Sequence, residues 1–165
     1  MTEPRVRRAI VDDAGAIAVV HHAAWVKTYS DLLPADHWES DTVAHRTERW
    51  HDRLSGDASG RPLVAVVDGQ VVGFAKSGAT RGKDGIPAVR GYELWSLYVL
   101  PEHHGAGVGA LLIDAALPAQ RSAELWVAEA NPRARRFYEK HGFVVDGARF
   151  TDDLEIVEIR MVRGR

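Results

Sequence analysis

The sequence predicts an α/β fold: a single domain on a central mixed, mostly antiparallel twisted sheet of about seven strands, flanked by about four helices. Three observations predict it. Short apolar stretches of strand character recur along the whole chain. Most are joined by turn-sized links, of which the Asp68-Gly69 pair between "LVAVV" and "QVVGFAKS" is the clearest. One strand–helix–strand crossover stands in the second half, between "YELWSLYVL" and "AELWVAEA".

The elements follow in order. "RVRRAIV", Arg5 to Val11, is the first strand. Asp12 can cap a helix with Ile17, Val20 and Ala24 on one face. After an aromatic-rich stretch broken at Pro34, a more polar helix is expected from Asp36 to Leu54. The hairpin around Asp68-Gly69 comes next, then "GATRGKDGIPAVRG", expected to be a long flexible connection. "YELWSLYVL" is apolar on both faces except at Glu93 and Ser96, as a central strand would be. Val108, Leu111, Leu112 and Ala115 line one face of a helix that ends before Pro118. "NPRARRFYEKHGF" is a punctuated helix, with Asn131 as cap, Pro132 in the first turn and Gly142 as stop. "FVVDGARF" and "LEIVEIRMV" close the sheet. No repeat or linker divides the chain, so residues 1–165 read as one domain.

Composition narrows the classes of function. A net charge of −2 provides no basic field for nucleic acid or an anionic membrane. The absence of cysteine excludes disulfides, thiolate zinc sites and a cysteine nucleophile of the chain's own. The eight histidines show no spacing suited to zinc, so no metal is expected. The N-terminal stretch lacks the apolar core of a signal peptide, and no stretch approaches a membrane span. A cytoplasmic protein is expected.

"PEHHGAGVGALL" places Gly105, Gly107 and Gly109 at the start of a helix, where glycine costs stability. Strand, glycine loop and helix together form a phosphate cradle, because free N–H groups and the helix dipole face the same anion. A P-loop needs Lys-Ser or Lys-Thr after its last glycine, and Ala110-Leu111 stands there. A dinucleotide fingerprint needs G-x-G-x-x-G near a first strand, and the spacing here is G-x-G-x-G, late in the chain. A glycine turn without a ligand remains open on the loop alone.

The loop taken together with "NPRARRFYEKHGF" resembles the GNAT superfamily of N-acetyltransferases. The family's Gln/Arg-x-x-Gly-x-Gly/Ala motif matches His104, Gly107 and Gly109, with Gly105 and Ala106 between. Its following asparagine, helix tyrosine and Gly-Phe exit match Asn131, Tyr138 and Gly142-Phe143. The order of elements agrees along essentially the whole chain, and the motifs are specific in residues 93 to 143. His104 departs from the usual Gln or Arg, but the backbone does most of the phosphate binding.

The resemblance implies acetyl-CoA as co-substrate. Its pyrophosphate would lie on His104, Gly105, Ala106, Gly107, Val108, Gly109 and Ala110, with Asn131 also on the cofactor side. Its pantetheine arm would pair with the backbone of Leu97, Tyr98 and Val99, and strands splayed at "YVL" and "EAN" would admit it. Direct attack by an amine, with no acyl-enzyme, is the usual route in the family. Tyr138 matches the family's general acid toward the departing thiolate. It also shares a helical face with Ala134, Phe137 and His141, so a purely packing role stays open. Glu93, 14 positions before Gly107, stands where the family's histone acetyltransferases carry their general base. A carboxylate in an apolar strand would have a raised pKa, suited to accepting a proton. An ammonium-binding or sheet-edge role is the alternative.

The acceptor is expected between the first two helices and the last strand pair, where Trp25 and Tyr29 are candidate pocket residues beside Leu32, Leu33 and Trp38. Packing of those aromatics onto the sheet explains them equally well. A small-molecule primary amine is the leading expectation. A protein N-terminus or lysine, and a non-catalytic acyl-CoA-binding module, are the alternatives. A homodimer is compatible with the sequence.

Overall fold

The computed structural model describes residues 2–118 and 121–165. Seven strands form: β1 (Arg5–Arg8), β2 (Leu63–Val67), β3 (Gln70–Ala79), β4 (Tyr92–Val99), β5 (Ala123–Ala128), β6 (Val144–Thr151) and β7 (Val157–Arg163). They belong to one sheet in the order β1-β2-β3-β4-β5-β7-β6. The pairs β1–β2, β2–β3, β5–β7 and β6–β7 are antiparallel, and β4–β5 is parallel. The helices are α1 (Ala14–Tyr29), α2 (Ala35–Ser40), α3 (Val43–Ser55), α4 (Val108–Ala116) and α5 (Pro132–Lys140). The mixed, mostly antiparallel sheet of the α/β prediction is therefore present. No helix of the described residues is long and apolar enough to cross a membrane.

Three local expectations are corrected. β1 stops at Arg8, and α1 begins at Ala14 after a single 3-10 turn. Asp13 makes this entry, not Asp12: its carboxylate accepts the Ile10 N–H at 2.8 Å and two bonds from the Arg7 guanidinium. The helix expected from Asp36 to Leu54 is two helices. Asp41 leaves helical geometry, and the Thr42 side chain accepts the His45 N–H to start α3. The stretch after β3, expected to be flexible, is held by the buried carboxylates of Glu93 and, farther along the chain, Glu124.

The chain groups into two compact units. The first comprises residues up to Lys76 together with Ser96–Ala116, and the second Ser77–Trp95 with Leu117–Arg165. In the first, α1 and α3 bury Ile17, Val20, Trp50 and Leu54 against Val64 and Phe74. Each large side chain withdrawn from water there contributes roughly 1.5–3 kcal/mol. The Asp68-Gly69 turn has positive φ at both residues (49° and 79°), as a tight hairpin requires. In the second, Leu125, Phe143 and Met161 are fully buried, and Asn131 caps α5 by accepting the Ala134 N–H at 3.1 Å. Gly78 lies under the Trp95 ring, leaving no room for a Cβ.

Candidate active site

In the first unit, β4 ends at Val99, and a 3-10 turn over Pro101–His103 leads to the glycine loop. Gly105 and Gly107 both have positive φ, 78° and 81°, a conformation that side chains rarely adopt. A Cβ built on either would meet open space. The chain's own packing therefore does not demand these glycines; the loop conformation does, and the space in front of it is clear. The helical ladder of α4 begins with Leu111 N–H on Gly107 O at 3.1 Å, so Val108, Gly109 and Ala110 form the first turn, ahead of that ladder. The Ala106 N–H turns back to His103 O at 3.4 Å.

His104 stands where the resembled motif has Gln or Arg. Its Nε2–H donates to the Val99 carbonyl at 2.9 Å, tying the loop to the end of β4. Leu97 and Tyr98 are half-buried on the same strand, and Val99 is buried. The Tyr98 side chain joins an aromatic cluster: its hydroxyl accepts the Trp25 indole N–H at 3.3 Å, and its ring lies 5.4 Å from Phe74.

Trp25 and Tyr29 pack together, ring centroids 4.6 Å apart on α1. The Arg46 guanidinium lies 5.3 Å from the centre of the Trp25 ring and is itself buried and bonded to Asp41. His21 sits against Tyr98 at 5.0 Å, and its Nδ1 accepts the Trp50 N–H at 3.3 Å. Burial, aided by the nearby Arg46 and Arg53 charges, pushes the His21 pKa down to about 3, so the ring is neutral with its proton on Nε2. Sequence reading makes no site residue of His21 and does not single out Arg46, Asp41, Trp50 or Phe74.

In the second unit, Glu93 is buried on β4, 7% exposed, and accepts the Arg81 N–H at 3.0 Å. Burial raises its pKa and the charge of Glu124 adds to this, while the Arg81 N–H and the Arg81 and Lys83 charges oppose it. Arg81 also stacks over Trp95, 4.2 Å from the ring centre. Tyr138 is 8% exposed on α5, edge-on to Phe137 and Phe143. Asn131 and Tyr138 thus share one helix, with the Asn131 side-chain oxygen engaged in the cap. Glu124, fully buried beside Glu93, is the residue that sequence reading misses. The repeated "ELW" in β4 and β5 is the signal that would have found it.

Residues 23–143 match the acetyltransferase (GNAT) family. The chain belongs to this family. It is 29% identical to a probable N-acetyltransferase of Mycobacterium tuberculosis, over 89% of this chain and 83% of that protein. It is 41% identical to an uncharacterized N-acetyltransferase of Archaeoglobus fulgidus, over 52% of this chain and 60% of that protein. The matched stretch spans between 54% and 60% of the length of several curated relatives. The crystal structure of the PaiA N-acetyltransferase of Thermoplasma acidophilum, a complex with coenzyme A, shares the fold: TM-score 0.72 at 21% identity, over 99% of this chain and 100% of that one.

Proposed function

We propose that the protein is an acetyl-CoA-dependent N-acetyltransferase, one domain over residues 1–165, acting on a primary amine of a small molecule by direct attack. The observation that carries this reading is the loop of Gly105 and Gly107. Two left-handed glycines with open space before them lead into the first turn of α4 in a chain of the GNAT family. Such a loop suits a pyrophosphate, since its glycines place no side chain over the turn at a helix N-terminus. His104 to Ala110 would hold the pyrophosphate and the backbone of Leu97, Tyr98 and Val99 the pantetheine arm, with Asn131 setting the start of α5.

In the reaction the amine nitrogen bonds to the acetyl carbon, the carbon–sulfur bond breaks, and the amine proton must leave. Glu93 takes that proton, directly or through water; its burial makes it a stronger base than an exposed glutamate. Tyr138 gives a proton to the departing thiolate. Trp25 and Tyr29 line the acceptor's place. Arg46 already makes the cation contact on Trp25, which favours an apolar portion of the acceptor there over a cationic one. Use of acetyl-CoA goes with a cytoplasmic location, which is part of the proposal.

The test is a panel of small primary amines and lysine peptides incubated with acetyl-CoA, with released thiol read by a thiol reagent. The chain has no cysteine, so every thiol detected is free coenzyme A. Turnover with small amines supports the reading. Turnover with peptides alone moves the acceptor to protein, and binding without any turnover makes the chain an acyl-CoA-binding module.

A further inference from the structure

The tripeptide Glu-Leu-Trp occurs twice, as Glu93–Trp95 on β4 and Glu124–Trp126 on β5. The parallel pairing sets the copies in register, Glu93↔Glu124 and Leu94↔Leu125. Register partners point to the same face, so the two carboxylates stand side by side. Glu93 is 7% exposed and Glu124 0%. Two carboxyl groups withdrawn from water on one sheet face are costly, and their retention needs a reason.

The segment from Thr80 to Gly91 is fastened to this pair at both ends. The Arg81 N–H donates to Glu93 Oε2 at 3.0 Å, and the Val89 and Arg90 N–H groups donate to Glu124 Oε2 at 2.8 and 2.9 Å. The cations nearby are engaged elsewhere: Lys83 with Glu158, Arg160 with Asp146, and the Arg90 guanidinium with the Gly164 carbonyl. Among the described residues, no ion pair reaches Glu93 or Glu124. Glu124 Oε1 is buried with no hydrogen-bond partner.

We propose that Glu124 is a positioning residue for Glu93: fixed by the Val89 and Arg90 amides, its carboxylate supplies the neighbouring negative charge that makes Glu93 the better proton acceptor. The proposal rests on the reading of Glu93 as the base. A role only in fastening the segment would need the two accepted N–H groups and not the charge. Glu124→Gln separates the two, because a side-chain oxygen remains for both amides while the charge is gone. The charged groups around Glu93 are Glu124, which raises its proton affinity, and Arg81 and Lys83, which lower it; only the first is changed.

The experiment follows the Glu93 side-chain carboxyl by carbon-13 NMR across pH in the full chain without substrate. In Glu124→Gln the Glu93 midpoint moves down, and the acid limb of kcat/KM moves down with it while KM for acetyl-CoA stays the same. In a Glu93→Gln background, Glu124→Gln no longer moves that limb. An unchanged Glu93 midpoint in the folded variant overturns the proposal. A midpoint that moves while the acid limb stays in place keeps the coupling and removes Glu93 as the base. Should the variant fail to fold, the wild-type titration decides. Coupled carboxyls each show an inflection at the other's midpoint, and two independent single-site curves overturn the proposal.

Discussion

His21 Nδ1 accepts the Trp50 indole N–H over 3.3 Å, linking α1 to α3 through a histidine that stays neutral in the fold. The ring's pKa falls to about 3 in the folded chain, against 6.5 for an ordinary histidine. Between those values the unfolded chain binds a proton that the folded chain refuses. The stability this group confers is therefore fully present above pH 6.5 and is lost as the pH falls toward 3. Each pH unit in that window costs about 1.4 kcal/mol. His21→Gln should lower stability at pH 7 yet lose less between pH 7 and 4.5 than the wild type. Urea unfolding at the two pH values measures this, and equal losses contradict it.

The Trp25 side chain joins four partners: the Tyr98 hydroxyl, the Tyr29 and His21 rings and the Arg46 guanidinium. Trp25→Ala removes all four, so a fall of roughly 3 kcal/mol in stability is expected. If the residue also lines the acceptor's place, the acceptor KM rises several-fold more than the KM for acetyl-CoA. Steady-state kinetics with both substrates varied will separate them, and parallel rises point to packing alone.

A Cβ at Gly78 would overlap the Trp95 ring. Gly78→Ala must therefore push the indole aside, at a cost of roughly 1–3 kcal/mol. Thermal denaturation should show the loss, with Gly60→Ala as a control, since a Cβ there meets nothing within 4 Å. Equal melting temperatures for the two variants contradict the packing described.

Tyr138→Phe removes one hydroxyl and keeps the ring against Phe137 and Phe143. A phenol with a pKa of about 10 is matched to a thiolate of similar basicity. With binding of acetyl-CoA and melting temperature nearly unchanged, kcat should fall on the order of 100-fold. Full kcat under conditions where chemistry limits turnover returns Tyr138 to the core.

What the sequence makes legible is what local chemistry decides. The Asp68-Gly69 turn and the Asn131 cap are each set by residues within a few positions, and both appear where the pattern puts them. Long-range bonds are not legible in this way. The break between α2 and α3 follows from Asp41, which the buried Arg46 holds, and the loop from Thr80 to Gly91 is ordered by Glu124, more than thirty residues away. The bond from His104 Nε2–H to the Val99 carbonyl is likewise absent from the motif pattern.

The central claim is that acetyl-CoA binds at the Gly105–Gly109 loop, and calorimetric titration of acetyl-CoA into the wild type and Gly107→Asp tests it most directly. The substitution puts a carboxylate beside the proposed pyrophosphate and strains a backbone with φ of 81°. Wild-type binding and at least a ~10-fold weaker Kd in a variant that keeps its fold, about 1.4 kcal/mol, is the predicted result. Equal affinity of the two folded proteins for acetyl-CoA would contradict it.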